Sequence, residues 1–338
     1  MEDAKLAICG LGSYLPEQTL EVDEIARQAR ADPRRLHELG YATVHLAGEG
    51  EMPTDMAVEA SRRALADAGL QAGDIDVIIY SGAHKDHIRW QASNKVQALL
   101  QAFDSYVFDV DQSGAGPALA LKLAADLLGD DPYIDTVLVC AAESWDTTLP
   151  GRLLGRSFVV GDGAAAALLC RGGEGLRLRG WRQASWGRYH RALCVPEVGA
   201  VRPITGEVLA RGGHLFQVFR PGWEDGQQRQ ELIDEFNRRA AATLEGAVRR
   251  AGAALGDLAF LVLPNLPRRH GLTLCRQLGI DPSRTSLSMA AAGGLQGGPE
   301  LLGNLLRARR EGMLAPGGLV GLLGLGAGYH WSALVLEG

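Results

Sequence analysis

The residues best placed for chemistry are Ser113 and Gly114, which lie between a short apolar segment and an alanine-rich helix. Residues 106–110 are predicted to form a strand, and the helix begins near Pro117. A nucleophile at a helix start gains from the helix dipole, which lowers the pKa of a thiol placed there. Ser113 offers a hydroxyl instead, and a serine needs an adjacent base before it can accept an acyl group. The simpler interpretation makes Ser113 an N-cap and Gly114 part of a tight turn.

Histidines provide the other candidate bases. His84 and His87 stand in a His-x-x-His spacing beside Asp86. Such a spacing can bind zinc, but no third ligand is close in the sequence, so no metal site is predicted. Gly10-Leu11-Gly12 follows a strand without the third glycine of a dinucleotide fingerprint, and no phosphate-binding loop is present. The sequence therefore predicts no bound cofactor.

The composition is that of a soluble globular protein. The chain has 338 residues, 46% of them hydrophobic, and can bury a large core. Its net charge is -6 and its lysines and arginines form no long cluster, which excludes nucleic acid as the expected partner. No apolar stretch approaches the roughly 20 residues needed to span a bilayer, so no membrane association is expected. The acidic segment 1–5 is unlike a secretory leader, and the prediction is a cytoplasmic protein.

The five cysteines are scattered and mostly embedded in apolar runs. They form no Cys-x-x-Cys pair. The sequence therefore predicts reduced, buried thiols, with neither a disulfide framework nor a zinc site. These cysteines are Cys9, Cys140, Cys170, Cys194 and Cys275.

Apolar runs of strand length alternate with segments of helical period along the chain, which predicts an α/β protein with largely buried sheets. Strands are predicted at 6–10, 77–80, 106–110, 137–141, 164–169, 260–263, 319–323 and 331–336. Helices are predicted at 22–29, 55–68, 92–102, 117–128, 230–251, 272–278 and 299–310.

The chain also contains a weak internal repeat. Residues 63–79 and 248–262 each read as a helix that ends at an alanine-glycine pair, a Gly-Asp turn and an apolar strand. The segments 161–169 and 324–335 repeat a second glycine-rich pattern. We therefore expect two copies of one α/β unit, with one half at residues 1–175 and the other at 176–338.

Four segments in the right order resemble the ketoacyl-ACP synthase III branch of the thiolase superfamily. They are Gly10–Glu17, Met56–Leu70, Phe158–Ala166 and Gly326–Val335. The resemblance covers nearly the whole chain. It implies the five-layered thiolase fold, with two stacked mixed sheets and helices between and outside them, and usually a dimer.

The family's chemistry uses a cysteine, a histidine and an asparagine, and the resemblance implies that this chain lacks all three. Gly114 stands at the cysteine position, with Ser113 beside it, and Asn265 stands at the histidine position. Asparagine can donate a hydrogen bond to a thioester carbonyl but cannot carry a proton. Another thiol, such as Cys140, facing the site beside an imidazole would overturn this interpretation.

The resemblance implies that the loop at residues 291–298 corresponds to the loop that carries the asparagine in condensing members of the family. Here it contains Gln296, which can donate a similar hydrogen bond. Glu300 lies near a position where some acyltransferase relatives have an aspartate. Its simpler interpretation is an acid in the first turn of a helix, where the dipole favours it.

The resemblance also implies an acyl donor and a partner surface. The donor is coenzyme A or the phosphopantetheine of an acyl carrier protein, entering over a basic rim, with no covalently bound cofactor. Arginines on that rim are candidate phosphate contacts. They are Arg152, Arg156, Arg268 and Arg269. The loop with His84, His87, Ile88 and Trp90 is expected at a dimer interface.

Two functions agree with these observations. In the first, the chain is a catalytically degenerate subunit that pairs with an active synthase and shapes acyl binding, like the silent subunit of heteromeric alkylquinolone-type synthases. In the second, it is an acyltransferase that uses Ser113 as nucleophile or aligns an acyl thioester with its acceptor for direct transfer. Homodimer and heterodimer both stay open, as do the acyl chain and the acceptor.

Overall fold

The computed structural model describes residues 6–145, 147–218 and 226–338. The strands are β1 (Leu6–Tyr14), β2 (Gln18–Glu21), β3 (Thr43–Leu46), β4 (Val77–Ser81), β5 (Tyr106–Asp109), β6 (Thr136–Glu143), β7 (Leu153–Leu154), β8 (Phe158–Val159), β9 (Gly163–Arg171), β10 (Leu176–Ser185), β11 (Leu193–Cys194), β12 (Gln217–Val218), β13 (Leu258–Val262), β14 (Leu319–Gly326) and β15 (His330–Glu337). The helices are α1 (Val22–Gln28), α2 (Pro33–Glu38), α3 (Pro53–Ala68), α4 (Ala92–Leu100), α5 (Gly116–Asp130), α6 (Gly206–Ala210), α7 (Gly226–Arg250), α8 (Arg268–Leu278) and α9 (Pro299–Arg310). None of the helices within these ranges has the length and apolar character needed to cross a bilayer.

Nine strands form one mixed sheet, in the order β13-β14-β15-β10-β1-β9-β6-β4-β5. The five strands from the first part of the chain lie on one side, and the four from the second part lie on the other. β1 and β10 join the two sides through only two residue pairs, Ala7 with Arg177 and Ile8 with Leu176. The expected two sheets are therefore present as two sides of one continuous, narrowly joined sheet.

The packing confirms the five layers of the predicted α/β fold. α5 and α9 share one apolar core with side chains from both sides of the sheet. α3 and α4 cover the outer face of the first side, and α7 and α8 cover the outer face of the second. The strands of each side alternate between the central and the outer core, so Val137 and Val139 face one and Leu138 and Cys140 the other.

The internal repeat is visible as equivalent turns. Gly69 and Gly252 each adopt a left-handed backbone, φ 68° and 76°, just after a helix. A short 3-10 turn follows in each case, at Ala72–Asp74 and Leu255–Asp257, and each turn leads into a buried strand. The equivalence confirms the duplicated unit.

Some elements of the structure were not predicted from the sequence. β10 occupies residues where no strand is predicted, because its charged residues interrupt the apolar pattern. A small antiparallel hairpin, β2 with β3, and the short helix α2 were also not predicted. The proposed division after residue 175 falls between β9 and β10 and stays a prediction.

The expectation of five reduced cysteines is wrong for one pair. Cys9 and Cys170 form a disulfide although 161 residues separate them in sequence. They meet because β1 and β9 are antiparallel neighbours, with a bulge in β1 between Ile8 and Gly10. The other three cysteines are free thiols. Residues 1–5, on which the absence of a leader was argued, lie outside the described residues.

Candidate functional site

Ser113 opens a 3-10 turn, Ser113–Ala115, that leads into α5. The residue before α5 is Ala115, so the predicted N-cap role of Ser113 is wrong. Ser113 has a positive φ of 45°, and its amide donates weakly to Asp111 Oδ1 at 3.5 Å. Its hydroxyl makes no hydrogen bond within the described part of the chain. Among the described residues, no base is hydrogen-bonded to the Ser113 hydroxyl in the way that a serine nucleophile needs.

Gly114 is buried beneath two loops of the second half of the chain. A Cβ atom on Gly114 would lie 2.4 Å from the carbonyl oxygen of Leu325 and 2.9 Å from that of Gly297. Both obstacles are backbone atoms, which cannot rotate away as a side chain does. The position therefore excludes every side chain, including that of a cysteine, unless the backbone shifts.

Asn265 is buried directly after β13 and has partners for both ends of its amide. Its Nδ2 donates to the Gly294 carbonyl at 2.7 Å, and its Oδ1 accepts from Asn304 Nδ2 at 2.9 Å. The Asn265 carbonyl also accepts from the Tyr41 hydroxyl at 3.2 Å. A thioester carbonyl would have to displace the Gly294 contact to reach this amide.

Glu300 ties the loops of the site together from the first turn of α9. Its Oε1 accepts from the backbone N–H of Asn265 at 3.0 Å. Its Oε2 accepts from the backbone N–H of Gly297 at 2.9 Å and from that of Gln296. Burial raises the pKa of the Glu300 carboxyl to about 8, although the three backbone donors act in the opposite direction. Glu300 is thus a buried residue that holds the backbone at residues 265, 296 and 297, whereas the sequence suggests an ordinary acid in the first turn of a helix.

Gln296 lies in the same buried loop. Its backbone carbonyl accepts from Trp145 Nε1 at 3.1 Å. The structure therefore brings Gly114, Asn265, Gln296 and Glu300 into one region. Glu300 accepts from the backbone of Asn265 and Gln296, and Gly114 adjoins them through Gly297.

A second hydrogen-bonded group lies beside this region and includes two residues that sequence reasoning missed. His84 Nδ1 contacts Glu143 Oε2 at 2.5 Å, and His84 Nε2 contacts the Thr148 hydroxyl at 2.9 Å. Glu143 is buried at the end of β6 and also accepts from the backbone amides of Ala83 and His84. Trp145 packs edge-on against the His84 ring, with 4.6 Å between ring centroids.

The two regions adjoin. A Cβ atom on Gly297 would lie 3.3 Å from Glu143 Cγ, and Gly297 is also one of the groups that enclose Gly114. No short motif announces Glu143 or Thr148. The available sequence signal was only an acid at the end of a predicted buried strand.

Comparison with known proteins gives one consistent result. Residues 108–185 match the family 3-Oxoacyl-[acyl-carrier-protein (ACP)] synthase III, and residues 248–337 match the C-terminal family of the same enzyme. A β-ketoacyl-[acyl-carrier-protein] synthase III of Rhodospirillum rubrum is 30% identical over 341 residues, covering 97% of this chain and 98% of that protein. The chain belongs to the β-ketoacyl-[acyl-carrier-protein] synthase III family, within the thiolase superfamily.

Solved structures agree with this assignment to the synthase III family. A 3-oxoacyl-(acyl carrier protein) synthase III of Pseudomonas aeruginosa is 25% identical, covers 98% of both chains and has a TM-score of 0.83. The priming β-ketosynthase of the R1128 polyketide pathway has a TM-score of 0.84 at 22% identity, covering 99% of this chain and 96% of that one. The latter likeness concerns the fold alone.

In the present chain, the four predicted rim arginines fall into two groups. Arg152 is buried, and its guanidinium contacts both carboxylate oxygens of Asp162, at 2.5 and 3.0 Å. It therefore differs from the exposed phosphate contact that the sequence suggests. The other three are exposed, and two of them line a surface cleft of about 390 Å³. The cleft is formed by Glu38, Arg268, Arg269, Leu272, Thr273 and Arg276.

The predicted interface loop is also divided. His84 points inward to Glu143, whereas Ile88 is 73% exposed and His87 packs against Trp90 on the surface. Lys85 holds the loop to the end of β5 through Asp109 at 2.7 Å. The loop thus lies next to the edge strand of the sheet.

Cys140 packs in the outer core of the first side of the sheet and does not take the place of the family cysteine. Cys140 is fully buried in β6, and burial raises its pKa to about 12. In the ranges that the structure describes, no group of three or more His, Cys, Asp or Glu side chains is arranged to hold a metal ion.

Proposed function

We propose that this chain is a non-condensing member of the synthase III family, working in specialised acyl-thioester metabolism as the partner subunit of a cysteine-bearing synthase. The observation that carries the proposal is the enclosure of Gly114 by the backbone of residues 297 and 325. A thiol at that position would require the backbone to shift, and Asn265, at the histidine position, is engaged in holding loops together. The proposed protein binds acyl chains without forming the family's acyl-cysteine.

The edge strand β5 supports pairing with another subunit. β5 is the last strand of the sheet, and exposed edge strands offer unpaired backbone groups to a second chain. Phe103 is 69% exposed and Tyr106 is 68% exposed beside it. Ile88 is 73% exposed on the loop that Lys85 holds to Asp109, at the other end of the strand. Aromatic side chains of this kind are enriched in protein interfaces.

The acyl donor in this proposal is an acyl-coenzyme A or an acyl carrier protein. Relatives carry the acyl carrier protein in their names, and an OleA variant of Xanthomonas campestris, 20% identical with a TM-score of 0.79, is described with bound lauroyl-CoA. The exposed arginines Arg156, Arg268 and Arg269 suit the phosphates of such a donor. No covalently held cofactor is required, and we propose a cytoplasmic location, where these donors are available.

The acyltransferase alternative that uses Ser113 is not favoured, because no base in the described ranges is hydrogen-bonded to its hydroxyl. Direct transfer between bound donor and acceptor requires no nucleophile and is tested together with the pairing.

The test is pairing with a cysteine-bearing synthase III from the same genome. Light scattering after size-exclusion chromatography should show a 1:1 heterodimer that condenses substrates, while this chain alone forms no condensation product. Tyr106→Glu and Ile88→Glu should weaken the pairing, and Met313→Glu, at another exposed apolar position, should not. A heterodimer that tolerates both edge substitutions would contradict the surface, and condensation by the chain alone would contradict the function.

A further inference from the structure

Thr148, His84 and Glu143 form a hydroxyl–imidazole–carboxylate chain. Thr148 Oγ1 lies 2.9 Å from His84 Nε2, and His84 Nδ1 lies 2.5 Å from Glu143 Oε2. In the tautomer that carries its proton on Nδ1, His84 donates to the Glu143 carboxylate and its Nε2 accepts from the Thr148 hydroxyl. This is the order of contacts found where an imidazole activates a hydroxyl nucleophile and a carboxylate orients the imidazole.

Solvent exposure increases along this series of hydrogen bonds, from the carboxylate to the hydroxyl. The Glu143 side chain is 2% exposed and that of His84 is 13% exposed, while Thr148 is half-buried. The carboxylate is held by two backbone amides, and Trp145 fixes the ring of His84. Exposure of the three residues therefore increases from Glu143 to Thr148, and backbone and aromatic contacts hold Glu143 and His84 in place.

Apolar side chains next to Thr148 indicate the class of substrate. The Thr148 carbonyl accepts from the Phe216 amide at 2.8 Å, and Phe216 packs on Trp145. The surrounding buried cluster gives this end of the triad an apolar environment, which suits an acyl chain better than a polar substrate. Its members are Trp145, Leu154 and Val160, with Leu149, Phe158, Leu193, Phe216, Val218 and Leu295 packed against them.

We propose that Thr148, His84 and Glu143 are an acyl-transfer triad acting on acyl esters or thioesters, at a place distinct from the family's cysteine position. Thr148 Oγ attacks the acyl carbonyl, and its proton passes to His84 Nε2. The carbon–sulfur or carbon–oxygen bond of the donor then breaks, and the leaving group takes that proton. Water or an acceptor alcohol attacks the threonyl ester next, which releases an acid or a new ester and restores the hydroxyl.

This activity goes beyond the proposed pairing and does not depend on it. A structural alternative is that the same hydrogen bonds only fasten residues 145–149 to the end of β6, since the Thr148 hydroxyl also lies 3.4 Å from the Trp145 carbonyl. The experiment must therefore read nucleophilicity and not folding.

The test is labelling of the full chain with a fluorophosphonate, which forms an oxygen–phosphorus bond with an activated hydroxyl and releases hydrogen fluoride. Peptide mass mapping should place the label on Thr148. Thr148→Val should abolish it, and His84→Asn should slow labelling by about 100-fold or more, because the general base is lost. Glu143→Gln should also slow labelling.

Matched variants separate activation from structure. Thr147→Val, at the exposed neighbouring threonine, and Ser113→Ala should label at the unchanged rate. Thr148→Ser should keep the label and accept it faster, because the primary hydroxyl is less hindered. An unlabelled Thr148 in the folded wild type, or undiminished labelling of Thr148→Val, would overturn the proposal. Either result leaves the pairing test unaffected, because labelling is measured on the chain alone.

Discussion

Two buried carboxylates, Glu300 and Glu143, lie near each other and are used differently. Glu300 accepts only from backbone amides, those of residues 265, 296 and 297. Glu143 also accepts from two backbone amides, but its third partner is the imidazole of His84, which leads on to the Thr148 hydroxyl. The hydrogen bonds of Glu300 hold backbone segments together. Those of Glu143 lead to an imidazole, which can accept and release a proton.

The surroundings of Glu300, at the family's catalytic region, therefore differ from those of Glu143, in the candidate triad, in what the hydrogen bonds support. Contacts that end in backbone stabilise loops, so their loss should reduce stability. Contacts that end in a partly exposed hydroxyl should matter less for stability and more for activity. The following substitutions test that separation.

The largest effect is expected at a third buried carboxylate, Asp162. It accepts from Arg152 and from the backbone amides of Ala47 and Trp145. Arg152→Met should lower the free energy of unfolding by about 3–5 kcal/mol, because a buried charge loses its partner. Arg156→Met, at an exposed arginine, should change it by less than about 0.5 kcal/mol. Denaturant unfolding measures both, and equal effects would contradict a structural role for Arg152.

Glu300→Gln should lower stability by about 1–3 kcal/mol, because an amide cannot accept from all three backbone donors. It should also change the dependence on pH. Burial raises the pKa of Glu300 to about 8 from 4.5, so its contribution to stability is complete below pH 4.5 and is lost as the pH rises to about 8.

Urea unfolding between pH 5 and 8 should therefore show a wild-type stability that falls with pH, at most by about 1.4 kcal/mol per pH unit from this group. The Glu300→Gln variant should lack this fall. An identical slope in both proteins would show that Glu300 is not the buried titrating group.

Gly114→Ala should cost about 1–3 kcal/mol, because its methyl group would overlap the backbone of residues 297 and 325. Gly129→Ala in α5 is the control. No atom lies within 4 Å of a Cβ atom there, so stability should rise by roughly 0.5–1 kcal/mol. Thermal unfolding compares the two. A stabilising Gly114→Ala would show that the position is open, and a cysteine could then act there.

The smallest loss of stability is expected for Thr148→Val, about 0.5–1.5 kcal/mol for one hydrogen bond. The same Thr148→Val variant should lose all fluorophosphonate labelling, so its effects on stability and on reactivity can be compared directly. Chemical unfolding and labelling are measured on one preparation. A loss of stability as large as that of Arg152→Met would place Thr148 with the structural group.

Much of the fold could be predicted from the sequence, because buried strands and amphipathic helices have strong local patterns. The predicted strand at 319–323 lies within β14, and the predicted helix at 299–310 coincides with α9. β10 was missed because Arg177, Arg179 and Arg182 interrupt its apolar residues, although its partners β1 and β15 make it a central strand.

The site could be predicted only in part. Positions 114, 265, 296 and 300 were assigned from the resemblance to the family, and their roles stay predictions. The contacts of His84 with Glu143 and Thr148 join residues 59 and 64 positions apart, so they depend on the tertiary fold. The disulfide between Cys9 and Cys170 was missed for the same reason, since only strand pairing brings the two residues together.

The most direct test of the closed nucleophile position is mass mapping of the purified chain after incubation with a panel of acyl-coenzyme A donors. Gly114 is enclosed, and no base in the part of the chain that the structure describes is hydrogen-bonded to the Ser113 hydroxyl. We therefore predict that residues 106–116 stay unmodified with every donor. An acyl group on Ser113 that disappears in Ser113→Ala would contradict the account, because this turn would then still accept acyl groups.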